Sequence, residues 1–211
     1  MYHAFSETHF DRYCMDINQF KSQKINNDYT VTFDDGSESL YRYMDTISLK
    51  GQNQIFFIRT DKINSKNYLS STQIQSLSKY FRIQSHSDSH TNHFYLKDNE
   101  IRREGLISKE KLENITGELV NKYAFPGGYW SFRCLKILAE IGYREFFTSA
   151  PLFFTKKFSY HDIPLNIHGR VEIFSPGFSK IEKYIRQPVV SIRLMRHIFS
   201  FSKSYLQSKL I

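Results

Sequence analysis

Cysteine is nearly absent from this chain, and its two copies, Cys14 and Cys134, have no metal-type spacing. One far-separated pair is not the disulfide framework of a small secreted protein, so free thiols in a reducing compartment are expected. No apolar run approaches the roughly 18 residues that span a bilayer. The opening Met1-Tyr2-His3-Ala4-Phe5-Ser6-Glu7 lacks the basic-then-apolar order of a secretory signal, and the expected location is cytoplasmic. A phosphate loop, a dinucleotide fingerprint and a serine nucleophile elbow are missing as well, which turns attention away from nucleotide chemistry and serine hydrolysis.

The 211 residues are enough for one domain with a substantial core, and 40% hydrophobic with 24% charged content reads as globular. A formal charge of +8 suits an anionic partner, whether nucleic acid, an acidic membrane surface or a phosphorylated carrier, and charge alone does not choose among them. Short β-rich runs alternate with helical stretches before residue 130, the pattern of repeated βα units. Strands are predicted at Tyr29–Phe33, Gln54–Ile58, Phe81–Ser85 and Tyr123–Pro126, the second so apolar that it is buried on both faces. Helices are predicted from Ser37 to about Leu49, after a cap at Ser71 or Thr72, from Ser108 onward, and along the Leu135, Leu138, Ala139, Ile141 stripe that Gly142 ends.

Polar clusters fall immediately after three of these strands: Asp34-Asp35, His86 and Pro126-Gly127-Gly128. In βα folds that rim is where sites assemble. Adjacent carboxylates repel unless a cation or donors stand nearby. His86 and His90, four apart, share a face if they lie on a helical turn, and a carboxylate from another strand completes a three-ligand site with a position left open, as hydrolysis requires.

Thr32-Phe33-Asp34-Asp35-Gly36, His86-Ser87-x-x-His90 and Tyr123-Ala124-Phe125-Pro126-Gly127-Gly128 resemble, in order and spacing, the first three motifs of the polysaccharide deacetylase family, the NodB-homology or carbohydrate esterase family 4 domain. Tyr2-His3 and Phe20 resemble the lead-in of members involved in exopolysaccharide biosynthesis, and the likeness covers roughly residues 1–150. The resemblance implies an α/β fold, an incomplete, distorted (β/α) barrel. It implies a hydrolase that removes N-acetyl, or O-acetyl, groups from a carbohydrate or lipid-linked sugar, with a divalent metal, zinc being expected, and no nucleic acid partner. Asp34 maps onto the general base and Asp35, His86 and His90 onto the metal ligands. Gly127 supplies the oxyanion N–H, and Ser87 hydrogen-bonds the loop that orients the imidazoles. Tyr129 and Trp130 are candidates to stack on a sugar, with core packing the alternative.

The chain departs from the pattern in three places. Ala124 stands where many members carry an arginine that pairs with the base, and Gly127 replaces the usual pocket aromatic. The late histidine that serves as general acid has His168 as its nearest candidate, just past the run Pro164-Leu165-Asn166-Ile167, where a strand end would face the metal rim. His93 is read as a solvated loop histidine or a spare ligand. An idle carbohydrate-binding domain and a hydrolase of small non-sugar amides remain the alternative readings. Residues 1–187 are assigned to the catalytic domain. Residues 188–211, where basic and apolar side chains alternate, form either a closing helix or an amphipathic segment resting on an anionic membrane.

Overall fold

A computed structural model describes residues 1–8, 13–23, 25, 29–48, 53–149 and 156–170. The expected amphipathic segment 188–211 lies outside the described residues. Two short strands, β1 (Ala4–Ser6) and β2 (Cys14–Asp16), pair in parallel, and α1 (Ile17–Ser22) follows with Asp16 as its N-cap, accepting from the Asn18 N–H. The main sheet is then laid down as β3 (Val31–Asp35), β4 (Gln54–Ile58), β5 (Arg82–Ser85), β6 (Lys122–Ala124), β7 (Glu145–Thr148), β8 (Lys156–Tyr160) and β9 (Ile163–Gly169). Its order is β3-β4-β5-β6-β7-β9-β8, parallel throughout except for the antiparallel β8–β9 hairpin. Parallel neighbours need crossovers, and the helices supply them on one face.

All five residues of β4 are buried, as a strand covered on both sides requires. Alternation sends Phe33, Phe56, Ile83, Tyr123, Phe146 and Ile167 outward, where they pack under the helices in the larger core. Ile55, Phe57, Ala124 and Phe147 point inward and form a second, smaller cluster. The sheet curls far enough that the Phe57 and Phe147 rings, on β4 and β7, lie 4.8 Å apart across two intervening strands. This is the incomplete barrel that the motifs imply. Strands β3 and β8 end the sheet on opposite sides. Arg170, the residue after β9, reaches across to β3, where its Nη1 donates to Thr32 Oγ1 and Asp34 Oδ1.

The helices differ from expectation at their starts. In place of one helix over 37–49 there are two single turns, α2 (Ser39–Arg42) and α3 (Met44–Ile47), because Tyr43 between them leaves helical geometry. Helix α4 (Ser71–Ser78) begins at a capping box, with Ser70 and Gln73 each satisfying the other's N–H, so the cap is one residue earlier than expected. Helix α5 (Asp98–Thr116) begins ten residues before Ser108 and ends on Gly117 at φ 71°. Helix α6 (Phe132–Glu140) is capped by Ser131. Among the described residues no helix is long and apolar enough to cross a membrane.

Phe56 is fully buried with the Phe33 and Phe81 rings 4.7 and 4.8 Å away. Phe56→Ala should cost about 3–5 kcal/mol, read as a lower urea midpoint with an unchanged slope.

Candidate active site

Three strand ends meet at one rim. Asp34, next to last in β3, points inward and is 2% exposed. Asp35 adopts φ 70° and Gly36 φ 81°, and this left-handed turn brings the second carboxylate to the rim beside the first. A side chain at Gly36 would be both strained and within 3.1 Å of Ile58.

His86 follows β5 directly. Its Nδ1–H donates to the Ala124 carbonyl at 2.8 Å, so the lone pair on Nε2 faces the site. The expected helical turn from His86 to His90 is not formed. Ser87 and His90 both sit at positive φ, 65° and 60°, and the Ser87 hydroxyl accepts the His90 N–H at 2.9 Å. The loop still brings the imidazoles together. His90 Nε2 lies 3.2 Å from His86 Nε2 and 3.3 Å from Asp35 Oδ1, and His86 Nε2 lies 3.6 Å from that same oxygen.

These separations suit a metal ion. Zinc bonds of about 2.0–2.2 Å place neighbouring ligand atoms of a tetrahedron about 3.3–3.6 Å apart. Asp35 Oδ1 is buried with no hydrogen-bond donor. Burial is also the main cause that raises the Asp35 carboxyl above its ordinary range, with the charge of Asp34 adding to it. Burial drives the His86 imidazole down to about 3, so it is neutral and able to ligate. The donor set fits a divalent cation.

Asp34 is treated differently. Its burial favours the neutral form, but Arg170, then His86 and His3, overcome this and hold the carboxyl at about 2. The Arg170 guanidinium is itself 6% exposed, 2.7 Å from Asp34 Oδ1, and packed over the Phe57 and Phe147 rings. It does from the end of β9 what the resemblance assigns to an arginine at the place of Ala124. Above the two carboxylates and two histidines opens a cavity of about 230 Å³. His3, Tyr13, Phe125, Gly127 and Ser149 complete much of its wall.

The polysaccharide deacetylase family model matches residues 21–146, more than half of the chain. The chain belongs to the polysaccharide deacetylase family. Among solved structures, the polysaccharide deacetylase BC0361 from Bacillus cereus is 21% identical with a TM-score of 0.67, over 88% of this chain and 66% of that one. The Streptococcus pyogenes deacetylase PplD, solved with acetate, is 17% identical with a TM-score of 0.69, over 92% and 96%. IcaB from Ammonifex degensii is 18% identical with a TM-score of 0.64, over 81% and 89%. These likenesses establish a deacetylase fold, and the chain spans just under two thirds of the Bacillus cereus protein. No curated protein sequence matches.

In this family member the structure brings Asp34, Asp35, His86, His90 and Gly127 to one cavity. Among the described residues no acceptor takes the Gly127 N–H. Ser87 is fully buried beneath the loop it caps. Trp130 and Tyr129 lie outside the cavity lining; Trp130 is 4% exposed and packs edge-on to Phe132. His93 is neither solvated nor a ligand. It is buried in the core, where its Nδ1–H donates to the Thr91 carbonyl and its Nε2 faces the Tyr123 hydroxyl.

His168 is not at the rim. Strand β9 runs to Gly169, two residues past the expected run, so His168 sits one layer down inside the barrel, stacked on Phe147 with Nε2 3.3 Å from Glu145. The next inward position on that strand is Arg170, which takes the rim instead. Two further residues belong to the site: Arg170, which in the sequence only closes the late-motif candidate around His168, and His3, which belongs to the lead-in.

About one equivalent of zinc per chain should survive dialysis, and the double variant His86→Ala, His90→Ala should lose it. Elemental analysis of the two proteins checks both statements.

Proposed function

We propose that this chain is a metal-dependent deacetylase that hydrolyses N-acetyl groups on a glycan or lipid-linked sugar in the assembly of cell-surface or exported polysaccharide. The observation that carries this reading is a buried carboxylate, Asp34, held ionised by Arg170 beside three ligand atoms at tetrahedral spacing. An idle carbohydrate-binding domain would have no use for that charge. The acetate in the PplD structure supports an acetyl substrate.

Asp35, His86 and His90 would hold a divalent ion, which when bound would supply Lewis acidity to the acyl carbonyl and to water, enough for a carboxylate as weakly basic as Asp34 to accept a proton. Asp34 takes that proton as the water oxygen adds to the acyl carbon. The Gly127 N–H faces the oxygen that becomes negative. The C–N bond then breaks, releasing acetate, and the amine leaves only if a proton reaches it. His3 is the remaining imidazole on the cavity wall, and it receives the role of passing that proton. The basic stretch 188–211, as a segment that rests on an anionic membrane, would keep lipid-linked substrate close.

Asp34→Asn should lower acetate release from N-acetylated oligosaccharides by about 10²–10⁴-fold while zinc stays bound. Equal activity in the variant would sink the mechanism. His3→Ala should lower kcat by about a hundredfold with KM within a few-fold, and His3→Gln, which keeps a hydrogen-bonding group but cannot carry the proton, should not restore it. A KM effect alone would make His3 a wall of the pocket and nothing more.

A further inference from the structure

Of the three proposed ligands, His90 is the one whose place depends on a loop. Asp35 ends a strand, and His86 follows one directly with its ring tied to Ala124. His90 is 30% exposed in its side chain, against 3% for His86. It closes a loop with two residues in left-handed conformation, neither of them glycine, a strained backbone that persists only where its surroundings hold it.

The surroundings are specific. The Ser87 carbonyl accepts from the Thr60 N–H, the Asp88 carbonyl from the Asp61 N–H, and the Ser89 carbonyl from Arg59. The amides on the other side of the loop go to a single group. Glu104 Oε2 accepts the Asp88 N–H at 3.0 Å and the Ser89 N–H at 2.8 Å, while its Oε1 accepts the Ser89 hydroxyl at 2.7 Å. Glu104 lies on α5 with Ser108 and Lys111 at helical spacing on the same face. Ser108 bonds the Ser85 hydroxyl, which accepts the Ser87 N–H, and Lys111 reaches Asp88. Gly105 lets this helix sit close to α6, since a side chain there would come within 2.6 Å of Leu138 and Ile141.

Resting on the reading of Asp35, His86 and His90 as a metal site, we infer that Glu104 is a positioning residue: by binding two successive loop amides it sets where the His90 imidazole stands and hence how tightly the metal is held. Its reach and its acceptor oxygens perform this, and its charge does not.

Zinc affinity, measured on the full chain by competition with a chromogenic chelator, tests it. Glu104→Ala and Glu104→Asp, the latter charged but one methylene too short, should each weaken zinc binding by about 10–100-fold. Glu104→Gln, which keeps an acceptor at the same reach, should stay within about threefold of wild type. Thermal melts identify any variant that has not folded, and the Asp and Gln variants decide the matter if the Ala variant is lost. Folded Ala or Asp variants that bind zinc as wild type does would overturn the positioning role and leave the metal site standing. Failure of Gln to retain affinity would overturn the claim that reach, not charge, is what matters. A wild-type chain that binds no zinc would overturn the inference together with the reading beneath it.

Discussion

The ion pair between Arg170 and Asp34 is the constraint around which the rest of the site is arranged. A carboxylate 2% exposed is costly unless a counter-charge is desolvated with it, and removing one partner of such a pair typically costs about 3–5 kcal/mol. Meeting that requirement draws the end of β9 to β3 although the two strands do not pair. It also places the guanidinium on the Phe57 and Phe147 rings, so the inner apolar cluster becomes the floor on which the charge rests. Barrel curvature and site electrostatics are here one problem with one solution.

Two neighbouring aspartates consequently live in opposite circumstances. Asp34 is satisfied within the protein, by Arg170 and by its place in the strand. Asp35 keeps a buried oxygen without a donor and faces two neutral imidazoles. The first is complete as it stands, whereas the second is balanced only by something brought from outside. That difference supports, on physical grounds and independently of the motif, the proposed roles of base for Asp34 and metal ligand for Asp35.

Much of this was legible beforehand because strand ends in a parallel sheet announce themselves: β-rich runs stop at Asp34-Asp35, His86 and Pro126, and side chains there must face the same rim. Other parts were not. The spacing of His86 and His90 fits a helical turn and a tight loop alike, and only the hydrogen bonds of Ser87 and Glu104 select the loop. The first half of α5 carries little apolar signal because its two buried positions are Ile101 and Gly105, and the glycine contributes none. His168 was misplaced by the length of one strand, an error of two residues that in a β-strand moves a side chain a full layer. Arg170 could not be found at all from local pattern, since its partner lies at the other end of the sheet.

The Arg170–Asp34 contact joins residues 136 apart in the chain. The loop-closure entropy of so distant a contact has to be met before the contact repays it. The proposed metal ligands, by contrast, lie within residues 35–90, Asp35 at the end of β3 and His86 and His90 on the loop that follows β5. The two histidines still wait on later chain in the same way, His86 on the Ala124 carbonyl and the His90 loop on Glu104, so the whole site is in place only once Arg170 at the end of β9 has reached β3.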